Sequence, residues 1–492
     1  MITITVMLAS VLQALDNTIA NVALPRMQGS LSATQEQMTW VLTSYIVAAA
    51  VMVPLSGWLA DRFGRKRLFL FSIVGFTLAS AFCGAAQSIE QIVLFRLLQG
   101  LAGAALMPMS QAVMFDIYPP KLFGRAMTIW SMGVVLGPTA GLVLGGWLTD
   151  NYSWRWVFYI NVPFGILAVL GVLAYFPTTE HRRKYFDFFG FSTLAIAVGA
   201  LQIFLDRGPI KGWFESGEIK LEACIAALAF YLFFTHTATF KRPFLRLSLF
   251  KDSNFSSGSV MMFVIAATLF ANFVLISPLL QSLMNYSVLQ AGMAMAPRGI
   301  GTLVAMMIAG RLVGKVDGRL IIGFGLGLTA LSLWQMTHFS MLMGKNSVVV
   351  ASVIQGMGSG IAFAPMAALA FGTLAPVLRN EGTALFNLIR NLGSSVGIST
   401  VQGLWVRNTQ VMHSSLAGHV TSHAISGHAI GALTSAQAVA ALNQQVTAQA
   451  AMVAYVDDFH LMLILTLVAT SALLFVRKPG SNKTDASEVV LE

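Results

Sequence analysis

Residues 57–67 read Gly57-Trp-Leu-Ala-Asp61-Arg-Phe-Gly64-Arg-Lys-Arg67 and join two apolar runs, 40–60 and 68–86. The connection holds four cations and one acid, while neither flank beyond it carries a charge. Each flank has the length, about 20 residues, that a helix needs to cross the hydrocarbon core of a bilayer. The rest of the chain repeats this pattern. Of 492 residues, 56% are apolar and 10% charged, against about 25% charged in a soluble domain. A water-soluble enzyme, a disordered chain and a nucleic-acid binder are thereby excluded.

Fourteen apolar runs can be read along the sequence: 2–25, 40–60, 68–86, 91–115, 126–148, 156–178, 190–206, 219–238, 254–280, 291–313, 320–339, 347–373, 383–405 and 458–476. The fold class is therefore an all-α membrane protein with 14 transmembrane helices. The first run does not read as a cleaved signal peptide, since it lacks a basic leader, contains Asp16 and has no small-residue cleavage site. It begins so abruptly at Met1 that a start further upstream stays open.

With the N-terminus placed in the cytoplasm, the inner segments hold 19 of the 30 Lys and Arg residues and the outer ones six. This asymmetry puts both termini inside. The net charge of +10 then reflects topology, not a nucleic-acid partner. Cys83 and Cys224 both sit in apolar runs, so neither a disulfide framework nor a thiolate metal site is expected.

A weak repeat appears at an offset near 255 residues. The 57–67 connection has a worn copy at 310–319, Gln99-Gly100 is echoed by Gln355-Gly356, and Gly137 by Gly393. The division that follows is a six-helix bundle over 1–178, a two-helix insert with its linkers over 179–253, a second six-helix bundle over 254–476 that includes an outer loop at about 406–457, and a tail over 477–492. Paired bundles around a central site are the usual build of secondary transporters.

Asp16 is the one acid read as lying deep within a span, and a buried carboxylate in a membrane is a functional candidate by default. Gln13, Asn17 and Asn21 recur beside it at helical spacing, a stripe expected to line a wet cavity. Arg96 lies at a similar depth in the fourth span and leads into Gln99, Gly100 and Gly103. The pattern suggests that Asp16 takes and releases a proton while Arg96 adjusts its carboxyl; the competing reading is a static ion pair that locks two helices.

The connection's Gly57 and Gly64 suit sharp turns and close helix approach. Asp61 suits a helix N-terminus, and Arg62, Arg65, Lys66 and Arg67 suit anionic headgroups. In the fifth span, Gly133, Gly137, Pro138, Gly141, Gly145 and Gly146 point to close, adjustable helix packing. These residues, Lys66 and Arg67 excepted, are assigned to conformational gating. Asn387, Arg390, Asn391 and Ser394 form a polar face in the thirteenth span, and Arg298 follows Pro297 in the tenth. Either arginine could meet an anionic substrate group or lock helices together. Gln13, Asn17, Asn21, Gln99, Asn387, Arg390 and Asn391 are the substrate-cavity candidates. The 25 methionines, among them Met107, Met109, Met261 and Met306, suit an adaptable cavity or plain filler.

The 406–457 loop holds His413, His419, His423 and His428, and its stretch 434–452 is Ala- and Gln-rich and expected to be helical. The His419/His423 spacing matches a metal pair, but the tract offers neither acid nor cysteine, so no metal is expected. With no phosphate-binding glycine loop, transport is expected to draw on an ion gradient, without a cofactor.

These motifs resemble the major facilitator superfamily, in its fourteen-helix drug:proton antiporter branch of the EmrB/QacA type. The resemblance rests on Leu15-Asp16-Asn17-Thr18-Ile19-Ala20-Asn21-Val22-Ala23-Leu24-Pro25, the 57–67 connection, Arg96 with Gln99-Gly100, the 133–146 glycine series, and Trp154-Arg-Trp-Val-Phe-Tyr-Ile-Asn161-Val-Pro-Phe-Gly165. It implies two bundles with a central cavity, and proton coupling through Asp16 and Arg96. It also implies efflux of amphipathic or hydrophobic compounds across a bacterial inner membrane. A second acid that some relatives carry in the first span is missing here. Relatives of the EmrB kind work with a periplasmic adaptor and an outer-membrane channel, and the 406–457 loop looks like theirs apart from its histidines. The alternatives are a dedicated exporter of an endogenous metabolite, such as a siderophore or fatty acid, and a non-transporting receptor or scaffold.

Overall fold

The computed structural model describes residues 1–119, 122–176, 185–313, 315–375, 378–419 and 436–476. Among them the structure is helical throughout, with one isolated bridge, Val313 to Val316, as its β pairing. The first half comprises α1 (Ile2–Leu31), α2 (Gln35–Met52), α3 (Leu55–Phe63), α4 (Arg65–Ala85), α5 (Ile89–Gly103), α6 (Leu106–Ile117), α7 (Phe123–Asn151), the short α8 (Trp156–Tyr159) and α9 (Asn161–Tyr175). Two helices follow, α10 (Phe188–Lys211) and α11 (Gly217–Thr239). The second half comprises α12 (Ser253–Pro278), α13 (Val288–Leu312), α14 (Gly318–Met336), α15 (Lys345–Gly372), α16 (Arg379–His419) and α17 (Ala436–Ser471).

Twelve of the described helical segments are long and apolar enough to cross a membrane, and the pair α2/α3, bent by 57°, makes thirteen. The bend falls at Pro54, which has no N–H to continue the ladder. The remaining run, 383–405, lies within the 41-residue α16. Its asparagines, arginine and serines keep its hydropathy below that of the other spans, yet it packs along α12 and α17. Large apolar side chains on the outer surface, such as Phe71, Leu167, Tyr231, Phe324 and Val468, are exposed, as a lipid-facing belt requires. The chain is a multi-pass membrane protein.

The outer loop expected over 406–457 is corrected by the structure. Helix α16 continues to His419 and α17 begins at Ala436, so both walls of that segment are helical; the stretch from 436 to 452 is helical as expected. His413 Nε2 meets Asn443 Oδ1 at 2.9 Å and joins the two walls. His419 bonds the carbonyl of Ser415 in its own helix, while His423 and His428 lie outside the described residues.

Helix contacts follow the small residues. The row Gly137, Gly141 and Gly145 of α7 faces α1: a Cβ at Gly137 would stand 2.7 Å from Ala14 Cβ and 2.9 Å from the Leu15 nitrogen, and one at Gly145 would stand 2.8 Å from Ile19. Gly133 extends the row toward Met7. Gly146 lies off it, with nothing within 4 Å, which corrects its expected packing role. Helix α7 runs through Pro138 without a break. Across the halves, α7 meets α13 and α15, while α16 meets α3 and α6. Helix α10 packs on α11 and touches α2 on one side and α16 on the other.

Candidate functional site

The glycine row brings α7 flush against α1, and this packing encloses the acid that α1 carries. Asp16 is fully buried. Its Oδ2 accepts from Arg96 Nη1 at 2.6 Å, and its Oδ1 accepts from Gln99 Nε2 at 2.9 Å and from Asn161 Nδ2 at 2.9 Å. Three N–H donors from α5 and α9 therefore converge on one carboxylate. Arg96 is equally enclosed. It donates to the Val41 carbonyl at 3.2 Å and to Gln99 Oε1 at 2.9 Å, and its guanidinium lies 4.2 Å from the centre of the Tyr45 ring. Tyr45 comes this close because Gly100 has no side chain to meet the Tyr45 carbonyl. The cluster carries no net charge when Asp16 is ionised, and charged partners of this kind make the stronger hydrogen bonds.

Asn161 was not among the sequence candidates. It stands inside the Trp154–Gly165 motif, but an asparagine at the head of a helix reads as a cap. Instead its amide bridges Asp16 and Ser80, the latter at 3.0 Å.

The stripe drawn along α1 divides. Gln13 is buried and accepts from the Met107 amide at 3.1 Å, at the break between α5 and α6 where that N–H lacks a helical partner. It ties helices and does not line an open cavity. Asn17 and Asn21 are exposed and bond to each other, Asn21 Nδ2 to the Asn17 carbonyl at 3.0 Å.

The 57–67 connection joins the halves. Asp61 Oδ1 accepts from Asn380 Nδ2, in the first turn of α16, at 2.7 Å. A Cβ at Gly57 would stand 3.1 Å from the Asn380 carbonyl oxygen. Gly64 adopts φ 82° between α3 and α4, a value that L side chains resist. The headgroup role expected for Arg65 and Lys66 is corrected. Arg65 is paired with Asp116 at the end of α6, and Lys66 Nζ donates to the Phe176 carbonyl at 2.7 Å, capping α9. Arg62 and Arg67 are exposed.

Further ties across the halves are Arg379 Nη1 to the Phe115 carbonyl at 3.4 Å and Asn387 Nδ2 to Gln111 Oε1 at 2.9 Å. Gln111 is a second residue that sequence reasoning missed. These contacts close the halves together at the end that carries the 57–67 connection. Arg390 and Asn391 are half-buried, and Arg390 Nη2 donates to Asn391 Oδ1 at 3.3 Å.

Two acids also escaped notice because each was placed at a span end. Asp206 of α10 accepts from Thr43 Oγ1 of α2 at 2.7 Å. Beside it, Arg207 pairs with Glu218 and Glu222, each at 2.8 Å. Asp458 of α17 is buried with neither carboxyl oxygen hydrogen-bonded. Among the described residues no group of three or more His, Cys, Asp or Glu could hold a metal.

The sequence profile of the Major Facilitator Superfamily matches residues 6–398. The multidrug export protein EmrB of Escherichia coli K12 is 34% identical over 486 residues, covering 97% of this chain and 95% of its own. The fatty acid resistance protein FarB of Neisseria gonorrhoeae is 33% identical over 486 residues, covering 97% and 96%. Among solved structures, the human organic anion transporter MFSD10 superposes with a TM-score of 0.63 at 14% identity, covering 94% of this chain and 98% of its own; at that identity the likeness speaks for the fold alone. The chain belongs to the major facilitator superfamily, a family of membrane transporters that includes the multidrug exporters of the EmrB type.

Proposed function

We propose that this protein is a proton-coupled exporter of amphipathic or hydrophobic compounds in a bacterial inner membrane, with both termini in the cytoplasm. One observation carries the reading: a fully buried carboxyl, Asp16, held by Arg96, Gln99 and Asn161 on a helix packed against the α7 glycine row. Its similarity to the exporters EmrB and FarB supports the same class of function.

The geometry suggests how one proton could drive the cycle. In the state described, the halves are closed at the 57–67 end, and Asp16 and Arg96 neutralise each other. A proton arriving at Asp16 removes the negative member and leaves Arg96 with the Tyr45 ring, the Val41 carbonyl and Gln99. The tie between α1 and α5 weakens, and the balance between the two closures shifts by that difference in interaction energy. Release of the proton on the other side restores the pair. Substrate follows the opposite course through the cavity between the halves.

Energised inverted vesicles test this. Adding an exported compound should dissipate part of the pH gradient with the natural sequence, and Asp16→Asn should abolish that response while compound binding stays measurable. Full active efflux by Asp16→Asn would refute the coupling role. No response to any compound with the natural sequence would favour a non-transporting scaffold.

A second reading, a dedicated exporter of an endogenous amphipath such as a fatty acid, is favoured by the similarity to FarB. A deletion strain showing sensitivity to a single compound class supports it, and sensitivity to many classes supports multidrug efflux. A periplasmic adaptor and an outer-membrane channel belong to the proposal as partners, with the α16–α17 helical extension as their docking element.

A further inference from the structure

The two halves carry related sites with different charge. Gly100 of α5 gives its space to the Tyr45 carbonyl, and Gly356 of α15 gives its space to the Arg298 carbonyl. Tyr45 and Arg298 therefore occupy equivalent places. Four residues before Gly100 stands Arg96; four before Gly356 stands Ser352. The cation has changed helices, from the α5 place in the first half to the α2 place in the second. In each half it reaches toward that half's first helix: Arg96 meets Asp16, and Arg298 meets Asn272 at 3.0 Å. The first partner is an acid, the second a neutral amide.

Arg298 is 3% exposed. Its other contacts are the Leu269 carbonyl at 3.5 Å and the Phe273 ring, whose centre lies 3.9 Å from the guanidinium carbon. Among the described residues no carboxylate lies within ion-pair distance of it, Asp458 included. A guanidinium keeps its charge under all physiological conditions and offers five donors in a planar fork, of which two are used here. Leu269 also borders a small cavity lined by Thr268, Thr329, Gln355 and Ser359. Gln355, the counterpart of Gln99, is buried with both amide heavy atoms unpartnered. Where Gln99 serves the acid of its own half, Gln355 has none to serve.

We propose that Arg298, with Asn272 and Gln355, recognises the head of an amphipathic monoanion of the alkyl carboxylate type, the apolar tail resting on the Phe273 side of α12. A monoanion supplies the charge that Asp16 supplies in the first half, and bidentate guanidinium–carboxylate pairing fits the unused donors. The inference names a substrate class for the exporter reading and rests on it.

Binding without any pH gradient separates the two ideas. The full chain in lipid nanodiscs is titrated with radiolabelled dodecanoate and with its methyl ester, and empty discs are subtracted. The natural sequence should bind dodecanoate at least about tenfold more tightly than the ester. Arg298→Gln should erase this preference while ester binding persists, which shows that the variant is folded, and Arg298→Lys should restore part of it. Unchanged preference in Arg298→Gln overturns the proposal, as does loss of preference in Arg390→Gln with Arg298→Gln unaffected. Arg298-dependent binding without proton-driven transport would leave this site standing and defeat the antiport reading alone.

Discussion

Asn387 of α16 and Gln111 of α6 are buried side chains from opposite halves of the chain, and the first donates to the second at 2.9 Å. The same amide also bonds the Thr383 carbonyl at 2.8 Å, so its direction is fixed by its own helix. Together with Asp61–Asn380 it latches one end of the bundle. A neutral buried hydrogen bond contributes about 1 kcal/mol, so Asn387→Ala should move the equilibrium between closed and open forms of that end by about fivefold. Spin labels at Arg62→Cys and Leu320→Cys, in a Cys224→Ser background, should report a larger fraction of long distances by double electron–electron resonance.

Arg96→Gln leaves the Asp16 carboxylate enclosed without its cation. Removing one member of a buried pair costs about 3 kcal/mol. The double variant Asp16→Asn/Arg96→Gln, which removes both charges, should recover much of that loss. Thermal unfolding in detergent compares the two, and equal melting temperatures would contradict the pairing energetics.

The glycine row predicts a position-specific effect on α7. Gly137→Ala drives a methyl group against Ala14 and Leu15, an overpacking that costs about 1–3 kcal/mol. Gly146→Ala meets nothing within 4 Å and gains helix propensity, so it should be neutral or stabilising by up to about 1 kcal/mol. Melting temperature and export rate should both fall in the first variant and hold in the second.

Gly64→Ala places a Cβ on a backbone with φ 82°, at a cost of about 1–3 kcal/mol. The strain falls on the α3–α4 corner, beside Asp61 and Arg65. Export should drop more than thermal stability does, because the corner holds the latch. Equal losses would show that the residue serves folding alone.

Asp458→Leu removes a buried carboxyl that has no hydrogen-bond partner. Burying such a group costs about 1–3 kcal/mol, so the substitution should raise the melting temperature of the detergent-solubilised protein. A fall would show that the carboxyl is satisfied in solution.

Much of this architecture can be read from the sequence, because uncharged runs of bilayer length and basic connections are strong signals that need no tertiary context. Asp16 and Arg96 stand out for the same reason, as charges where apolar residues are the rule. The structure adds their direct contact and the convergence of Gln99 and Asn161. Asn161 escaped because its residue type and place suit a helix cap equally well. Asp458 escaped because α17 begins at Ala436, some twenty residues before the apolar run that marked it, so an acid at the edge of that run lies well inside the helix. Helix α16 was legible despite its polar residues: the run 383–405 lies inside it, although its asparagines and arginine lower its hydropathy. The α1 stripe misled because three residues on a helical spacing share a face only loosely; Gln13 is buried and holds a backbone N–H of another helix, while Asn17 and Asn21 are exposed and the Asn21 side chain bonds within its own helix.

Helix α16 has 41 residues, a rod roughly 60 Å long at 1.5 Å per residue, about twice the hydrocarbon thickness it has to cross. Its first turn is clipped to Asp61, and its far portion is lashed to α17 by His413 and Asn443. Such a rod is a lever. A tilt of a few degrees at the clipped end sweeps the distant tip through several ångströms, so the opening and shutting of one mouth is broadcast as motion well beyond the opposite membrane face.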